Sequence, residues 1–237
     1  MGRLMDTIAS NWATTQQRIL DAAHHCGGER SIEVVAVTKT RSPREMDAAI
    51  ACGAGAVGEN RVQEADAKKP QVQGKVPWHF IGHLQSNKAA RAVALFDLVQ
   101  SVDSVPLARA LSRSAGNAGS VLEILVQVNT SATAGQSGVD ADGLMPMLEE
   151  VATLDGLRIR GLMTIGAHSA DERQVRTGFA ALRTTSELVG ATGLPNVDMR
   201  YLSMGMSGDF EWAIAEGANM LRLGTSIFSP RQSAPSE

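Results

Sequence analysis

Lys39 is the residue whose type and position point most directly to covalent chemistry. It follows a short β-branched run, Glu33–Thr38, of the kind that forms a buried parallel strand. Strand alternation puts Lys39 on the face of Val35 and Val37, so it lies over the mouth of a barrel if these valines point inward. A lysine that loses hydration there is more often neutral and condenses with an aldehyde as a Schiff base. The alternative is a strand-end lysine in solvent.

Two later segments, Tyr201–Asp209 and Leu221–Ser226, have the composition of a phosphate site. Both combine small residues with hydroxyl side chains just after an apolar run. Backbone N–H groups at the start of a helix, with hydroxyl donors beside them, suit a dianionic phosphate. The alternative for Ser207 is a plain helix N-cap. Together with Lys39, these segments predict a binding site for a phosphate-bearing aldehyde.

The elements that must position these residues alternate between strand and helix. After an amphipathic helix from about Met5 to His25, ended by Gly27-Gly28, the pattern predicts eight strands, all but the last followed by a helix. The strands are Glu33–Thr38, Gly55–Gly58, Trp78–Ile81, Leu98–Ser101, Leu122–Val128, Leu157–Ile165, Val197–Leu202 and Asn219–Leu223. We therefore predict an α/β fold, a single (β/α)8 TIM barrel with an additional N-terminal helix, in preference to an open doubly wound sheet.

Length and composition agree with one cytoplasmic barrel domain. The 237 residues exceed one domain of about 150 residues, a length that single barrels often reach. A net charge of -3 and 4% aromatic residues disfavour nucleic-acid binding, and no apolar run is long enough for a membrane span. Cys26 and Cys52 form neither a metal-ligand pair nor a disulfide framework. We expect residues 1–237 to be one domain with a loose tail at 229–237.

The segment Gly53-Ala-Gly55-Ala-Val-Gly58 matches the glycine pattern of dinucleotide-binding loops. That loop needs a strand before its first glycine and a helix across the others. Here the preceding residues, Pro43–Cys52, are helical by pattern, and the next helix begins only after Asn60. We interpret the motif as a helix end followed by a short strand and reject a NAD site.

Six segments of the chain resemble the pyridoxal phosphate homeostasis family, the single-domain relatives of the alanine racemase barrel. They occur in order across the whole domain, and Trp78–Lys88 and Leu202–Ser207 are the most specific of them. The segments are Ala36–Thr40, Gly58–Glu64, Trp78–Lys88, Gly161–Thr164, Leu202–Ser207 and Arg222–Phe228.

The resemblance implies that the cofactor is pyridoxal 5′-phosphate and assigns its contacts. Lys39 matches the Schiff-base lysine, whereas Ser207, Gly224 and Thr225 match the positions that hold the phosphate. Arg222 matches the arginine that faces the pyridine nitrogen. Because arginine stays charged and only donates hydrogen bonds, it favours an unprotonated ring, which is a poorer electron sink.

Asn60 matches a residue that lines the cofactor pocket. The alternative interpretation, that Asn60 caps the helix after it, is compatible with this role. Gln136 occupies a loop position where the family often has lysine, which puts a second-lysine role in doubt. Ser229 stands where relatives often have glycine, a change expected to alter the last turn. We expect His83, near the barrel mouth, to be satisfied by backbone hydrogen bonds.

The function implied by the resemblance is to hold and buffer pyridoxal phosphate without catalytic turnover. Apo-enzymes that use this cofactor are the implied recipients, and we expect a monomer that binds no nucleic acid or membrane. The alternative is an amino-acid racemase with Lys39 as one base. Two-domain racemases take the opposite base, a tyrosine, from an appended β-domain, whereas the one tyrosine here, Tyr201, falls within the seventh predicted strand.

Overall fold

Eight parallel strands close into a barrel in the computed structural model of the chain, which describes residues 2–27, 31–131, 137–167 and 169–229. The strands follow one another in chain order, and β1 pairs with β8 to complete the closure. The fold prediction is confirmed. The strands are β1 (Glu33–Val37), β2 (Ala56–Glu59), β3 (Trp78–Phe80), β4 (Leu98–Val102), β5 (Leu122–Gln127), β6 (Leu157–Met163), β7 (Val197–Ser203) and β8 (Met220–Leu223).

Helices alternate with these strands and cover the outside of the barrel. The sequence prediction that no helix follows the eighth strand is wrong, because four residues after β8 form a last short helix, α9. Two 3-10 turns, at Lys69–Gln71 and Ser86–Lys88, supplement the α-helices. The helices are α1 (Gly2–His25), α2 (Pro43–Ala51), α3 (Val62–Lys68), α4 (Ala89–Leu95), α5 (Val105–Asn117), α6 (Ala141–Val151), α7 (Glu172–Gly190), α8 (Phe210–Ala215) and α9 (Thr225–Phe228).

Strand alternation divides the buried residues into two layers. The larger apolar cluster fills the space between the strands and the helices. A smaller cluster, the interior floor, lies inside the barrel and includes Val35, so β1 has the orientation predicted from its sequence. The buried members of this interior floor are Val35, Ala56, Leu98, Leu125, Met163 and Met220.

The N-terminal helix α1 packs against the other end of the chain. Asn11 Nδ2 donates to the Ile227 carbonyl at 3.0 Å, and Thr15 Oγ1 donates to the Ser226 carbonyl at 3.2 Å. Arg18 forms a bidentate ion pair with Glu211 on α8. These contacts attach α1 to α8 and to the segment that follows β8.

The glycine motif has the predicted local structure. Gly53 follows the end of α2 with φ of 108°, a left-handed conformation that glycine adopts without strain. Gly58 lies inside β2, where an added Cβ would come within 2.9 Å of Val35 Cγ1. The motif is therefore a helix end and a barrel strand. Both cysteines are free thiols, and no helix in the described ranges is long and apolar enough to cross a membrane.

Candidate cofactor site at the barrel mouth

Lys39 lies in a tight turn at the carboxyl end of β1. The Arg41 N–H donates to the Thr38 carbonyl at 2.9 Å and closes a four-residue turn, in which Thr40 has φ of 61°. Positive φ is unusual for a β-branched residue and signals a turn that surrounding contacts must hold. The Lys39 side chain is exposed, so the predicted loss of hydration is not observed. The physical reason is its position two residues beyond the last residue of β1.

Ser207 joins the loops that follow β7 and β8. Its Oγ accepts hydrogen bonds from the backbone N–H groups of Gly224, at 3.2 Å, and Ser226, at 3.1 Å. The alternative role of Ser207 as N-cap of the next helix is wrong, because α8 begins at Phe210 with Asp209 as its N-cap residue. The two segments that sequence analysis selected separately thus form one hydroxyl- and amide-rich cradle.

Gly224 and Thr225 form the part of this cradle that faces β1. A Cβ added at Gly224 would lie 3.5 Å from Val37 Cβ, an ordinary contact distance, and Gly224 does not have positive φ. Packing against the protein therefore does not require glycine here, and the missing side chain leaves open space beside the end of β1. Thr225 begins α9 and is exposed. The geometry fits a group that approaches the backbone closely.

Arg222 lies on β8 and is buried, with 4% of its surface exposed. Its Nη1 donates to Ser203 Oγ and its Nη2 to the Thr164 carbonyl, both at 2.7 Å. Neither partner is a carboxylate, and no ion pair to Arg222 occurs within the described ranges. Burial lowers the pKa of Arg222 to about 10, although Asp209 opposes the shift. The guanidinium therefore stays charged at neutral pH.

A hydrogen-bonded chain runs from Arg222 across the barrel, and we call Arg222, Ser203, Gln100 and His79 the inner network. Ser203 Oγ donates to Gln100 Oε1 at 2.7 Å, and Gln100 Nε2 lies 2.9 Å from His79 Nδ1. Burial lowers the pKa of His79 to about 4, so the ring is neutral and its Nδ1 can accept. The inner network fixes the orientation of Arg222.

Asn60 directly follows β2 at the same end of the barrel. Its Oδ1 is buried and has no hydrogen-bond partner in the part of the chain that the structure describes. The alternative of a helix cap is wrong, because α3 begins at Val62 and its N-cap residue, Arg61, makes no side-chain cap. A buried acceptor without a partner is costly, which fits a residue that faces a ligand.

Sequence reasoning missed a second buried polar group, on the outer side of the barrel wall. We call Thr38, Glu59, Glu64 and Lys68 the outer cluster. Lys68 Nζ donates to Glu59 Oε1 at 2.9 Å and to Glu64 Oε1 at 2.6 Å. Burial raises the pKa of Glu59 despite the bond from Lys68. For Glu64 burial acts in the same direction, but bonds from Lys68 and the Thr40 N–H outweigh it and lower the pKa.

The remaining sequence predictions near the site have mixed outcomes. His83 is exposed and its Nδ1 lies 3.8 Å from Asp103 Oδ2, so the predicted backbone bonding is not observed. Tyr201 lies within β7, as predicted, and packs against the interior floor. Ser229 ends α9 with φ of 62°, a conformation that favours glycine. Gln136 and the tail beyond Ser229 lie outside the described residues.

Comparison with known proteins assigns this barrel to a family. The model of the alanine racemase N-terminal domain matches residues 5–232. A pyridoxal phosphate homeostasis protein of Pseudomonas aeruginosa is 38% identical over 229 residues, which cover 96% of this chain and 97% of the relative. The chain belongs to the pyridoxal phosphate homeostasis protein family.

Solved structures agree with this family assignment. A protein of unknown function from Bifidobacterium adolescentis is 39% identical, with a TM-score of 0.93 over 96% of this chain and 97% of that one. PipY of Synechococcus elongatus, solved with pyridoxal phosphate bound, is 35% identical, with a TM-score of 0.82 over 93% of this chain and 99% of that one. The similarity to this homeostasis family therefore covers the whole barrel.

Proposed function

We propose that this protein binds pyridoxal 5′-phosphate as a Schiff base on Lys39 and buffers the cofactor in the cytoplasm without catalytic turnover. The pairing of β1 with β8 carries the proposal, because it brings the end of β1 beside Gly224 and the Ser207 cradle. In the register of these strands Val35 pairs with Arg222 and Ala36 with Leu223. This register supports a site in which the amine of Lys39, the cradle around Ser207 and the buried cation of Arg222 contact one ligand.

Each group has a chemical task in this proposal. Lys39 would supply the amine that condenses with the cofactor aldehyde, with release of one water. Ser207, Gly224 and Thr225 hold the phosphate, and Asn60 lines the pocket. Arg222 donates a hydrogen bond toward the pyridine nitrogen and keeps it unprotonated. The bound cofactor would supply an electrophilic carbon, while the arginine limits its capacity as an electron sink.

The position of Tyr201 argues against racemisation. A racemase needs a base on each face of its substrate, and Tyr201 is the one tyrosine of the chain. Tyr201 packs on the interior floor. Burial raises the pKa of Tyr201, and the charge of Glu33, the first residue of β1, raises it further. Lys39 is six residues beyond Glu33, which is about 20 Å in extended geometry. In the strand register Ser203 pairs with Met220 and Met220 with Glu33, so Tyr201, two residues before Ser203, lies toward the start of β1 and away from Lys39.

Borohydride trapping tests the attachment of the cofactor. Incubation with pyridoxal phosphate and reduction is expected to label one peptide, which contains Lys39, whereas pyridoxal without phosphate labels it weakly. Lys39→Ala is expected to lose the label, and Lys75→Ala, which changes an exposed lysine ahead of β3, is expected to keep it. Equal labelling of the Lys39→Ala protein would show that the proposed anchor is wrong.

A transfer assay tests the homeostatic role. Loaded protein is mixed with an apo-enzyme that needs pyridoxal phosphate, in the presence of a phosphatase that destroys free cofactor. We expect reactivation by the loaded protein to survive the phosphatase, whereas reactivation by free cofactor does not. In parallel, L-alanine in deuterated water is expected to show no Lys39-dependent exchange at Cα. Rapid exchange with racemisation would contradict the absence of turnover.

A further inference from the structure

The turn that carries Lys39 is held from outside the barrel, on both sides of the lysine. On the N-terminal side, the Thr38 carbonyl accepts from Lys68 Nζ at 2.8 Å, and Thr38 Oγ1 donates to Glu59 Oε1 at 2.7 Å. On the C-terminal side, the Thr40 N–H donates to Glu64 Oε1. Lys39 itself takes no part in these bonds. The outer cluster therefore holds the two neighbours of the lysine, whose own side chain is exposed.

Lys68 is the centre of this arrangement. It is the residue that contacts both carboxylates and also the backbone next to Lys39. It is buried, with only 8% of its surface exposed, although lysine is almost never fully buried without a partner. The spacing of Glu64 and Lys68 by four residues on α3 alone would give a solvent-exposed helix pair worth a few tenths of a kcal/mol. Instead, the ammonium group points at the barrel wall.

Stability alone does not account for a buried ionic group in this place. Removing charges from water is costly, and well-packed apolar residues often serve stability as well or better. Here one carboxylate oxygen, Glu59 Oε2, is buried without a hydrogen-bond partner among the described residues, which adds to the cost. What the outer cluster does hold is the backbone of Thr38 and Thr40, which accepts from Lys68 and donates to Glu64 respectively. Thr40 is the residue held at positive φ.

We propose that the outer cluster is a positioning device for Lys39, in which Lys68 and Glu64 hold the turn so that the Lys39 amine meets the cofactor aldehyde. This inference rests on the proposed function of Lys39. Lys68 is a positioning residue that touches neither the cofactor nor the reacting atoms. Its effect is on the rate of Schiff-base formation rather than on the affinity of the phosphate cradle.

The test separates the two steps with two ligands. Pyridoxal 5′-phosphate reports Schiff-base formation by absorbance and borohydride trapping, whereas pyridoxine 5′-phosphate has no aldehyde and reports only binding to the cradle and ring site. In Lys68→Met we expect Schiff-base formation to slow by about 10- to 100-fold, the loss expected for a misplacement of about 1 Å. The affinity for pyridoxine 5′-phosphate should change less than about twofold. Lys69→Met, the neighbouring lysine that contacts the Leu95 carbonyl, is the matched control and should behave as wild type.

A pair of substitutions at Glu64 keeps the proposal testable if Lys68→Met folds poorly. Glu64 is partly exposed, and Lys68 bonds to Glu59 separately, so we expect the Lys68–Glu59 pair to remain when Glu64 is replaced. Glu64→Gln keeps an oxygen that can accept from the Thr40 N–H, whereas Glu64→Ala does not. We expect Glu64→Ala to slow Schiff-base formation about tenfold and Glu64→Gln to retain most of the rate. Hydrogen exchange of the apo-protein should show faster exchange of the Thr40 amide in Glu64→Ala.

The results distinguish this proposal from the proposed function. If wild-type protein forms no reducible Schiff base on Lys39, the proposed function is wrong. If wild type forms it and both Lys68→Met and Glu64→Ala form it at the wild-type rate, the outer cluster does not position the lysine. A weaker affinity of these variants for pyridoxine 5′-phosphate, with an unchanged rate at saturation, would also overturn the proposal.

Discussion

The inner network lies inside the barrel and the outer cluster lies outside it. Each contains a buried cation, but the partners of the two cations differ. The outer cluster pairs the ammonium of Lys68 with two carboxylates. The inner network surrounds the guanidinium of Arg222 with a hydroxyl group and a carbonyl, followed by an amide and a neutral imidazole. The cation of the outer cluster has carboxylate partners, whereas the cation of the inner network has none within hydrogen-bond distance.

This difference indicates which group is arranged for a ligand. A buried cation whose hydrogen-bond partners are neutral keeps more of its field available for an acceptor that enters from the barrel mouth. A cation enclosed by two carboxylates attracts little else and acts mainly on geometry. The inner network therefore suits contact with the cofactor, and the outer cluster suits control of the backbone that carries Lys39.

The largest effect on stability is expected from breaking the outer cluster. Lys68→Met leaves Glu59 buried without its cation and should lower the free energy of unfolding by about 3–5 kcal/mol. The double variant Glu59→Gln/Lys68→Met removes both charges and should lose much less. Urea unfolding at neutral pH measures both values. Equal losses in the single and double variants would mean that side-chain packing, rather than charge pairing, dominates the outer cluster.

The inner network should respond to pH through His79. Burial lowers the pKa of His79 from 6.5 to about 4, so between these values the unfolded chain takes up a proton that the folded protein does not. The contribution of the neutral ring to the free energy of unfolding is complete above pH 6.5. It is lost as the pH falls toward 4, a loss of roughly 3 kcal/mol. His79→Asn keeps an acceptor but does not titrate there. Urea unfolding at several pH values should show a smaller acid loss in this variant than in wild type.

The smallest effect on stability is expected from Arg222→Met. The substitution removes a desolvated charge, which is favourable, and leaves Ser203 and the Thr164 carbonyl short of a donor, which is unfavourable. The two effects nearly cancel, and we expect the free energy of unfolding to change by less than about 1 kcal/mol. Affinity for pyridoxine 5′-phosphate should nevertheless fall. A loss of stability as large as that of Lys68→Met would contradict the contrast between the two groups.

The sequence predicts the barrel because its signals are local and repeated. β-branched runs alternate with amphipathic segments, and the Ser42 cap before α2 forms a capping box with Glu45, as its pattern indicates. The last helix, α9, is missed because its four residues follow Gly224 and have the hydroxyl-rich composition of a loop. A helix of this length has no periodicity to detect.

The two buried polar groups are harder to predict, since tertiary structure decides where their side chains lie. Gln100 follows two apolar residues on β4, and Ser203 ends β7, which also carries charged residues. Alternation gives the face of the strand on which each lies but not its partners. Glu64 and Lys68 have the spacing of a surface helix pair. The exposed position of Lys39 depends on a turn closed by the Arg41 N–H, which no local pattern specifies.

The pairing of β1 with β8 also has a consequence for synthesis of the chain. Lys39 emerges from the ribosome well before Arg222, Gly224 and Thr225, which lie more than 180 residues further along the chain. The contacts of α1 with Ser226 and Ile227 link positions more than 200 residues apart, at separations of 211 and 216. Such distant contacts form late in folding. A nascent chain therefore lacks part of the proposed cofactor site until β8 has formed. Pyridoxal phosphate that contacts both β1 and β8 would bind only the folded barrel and so stabilise it.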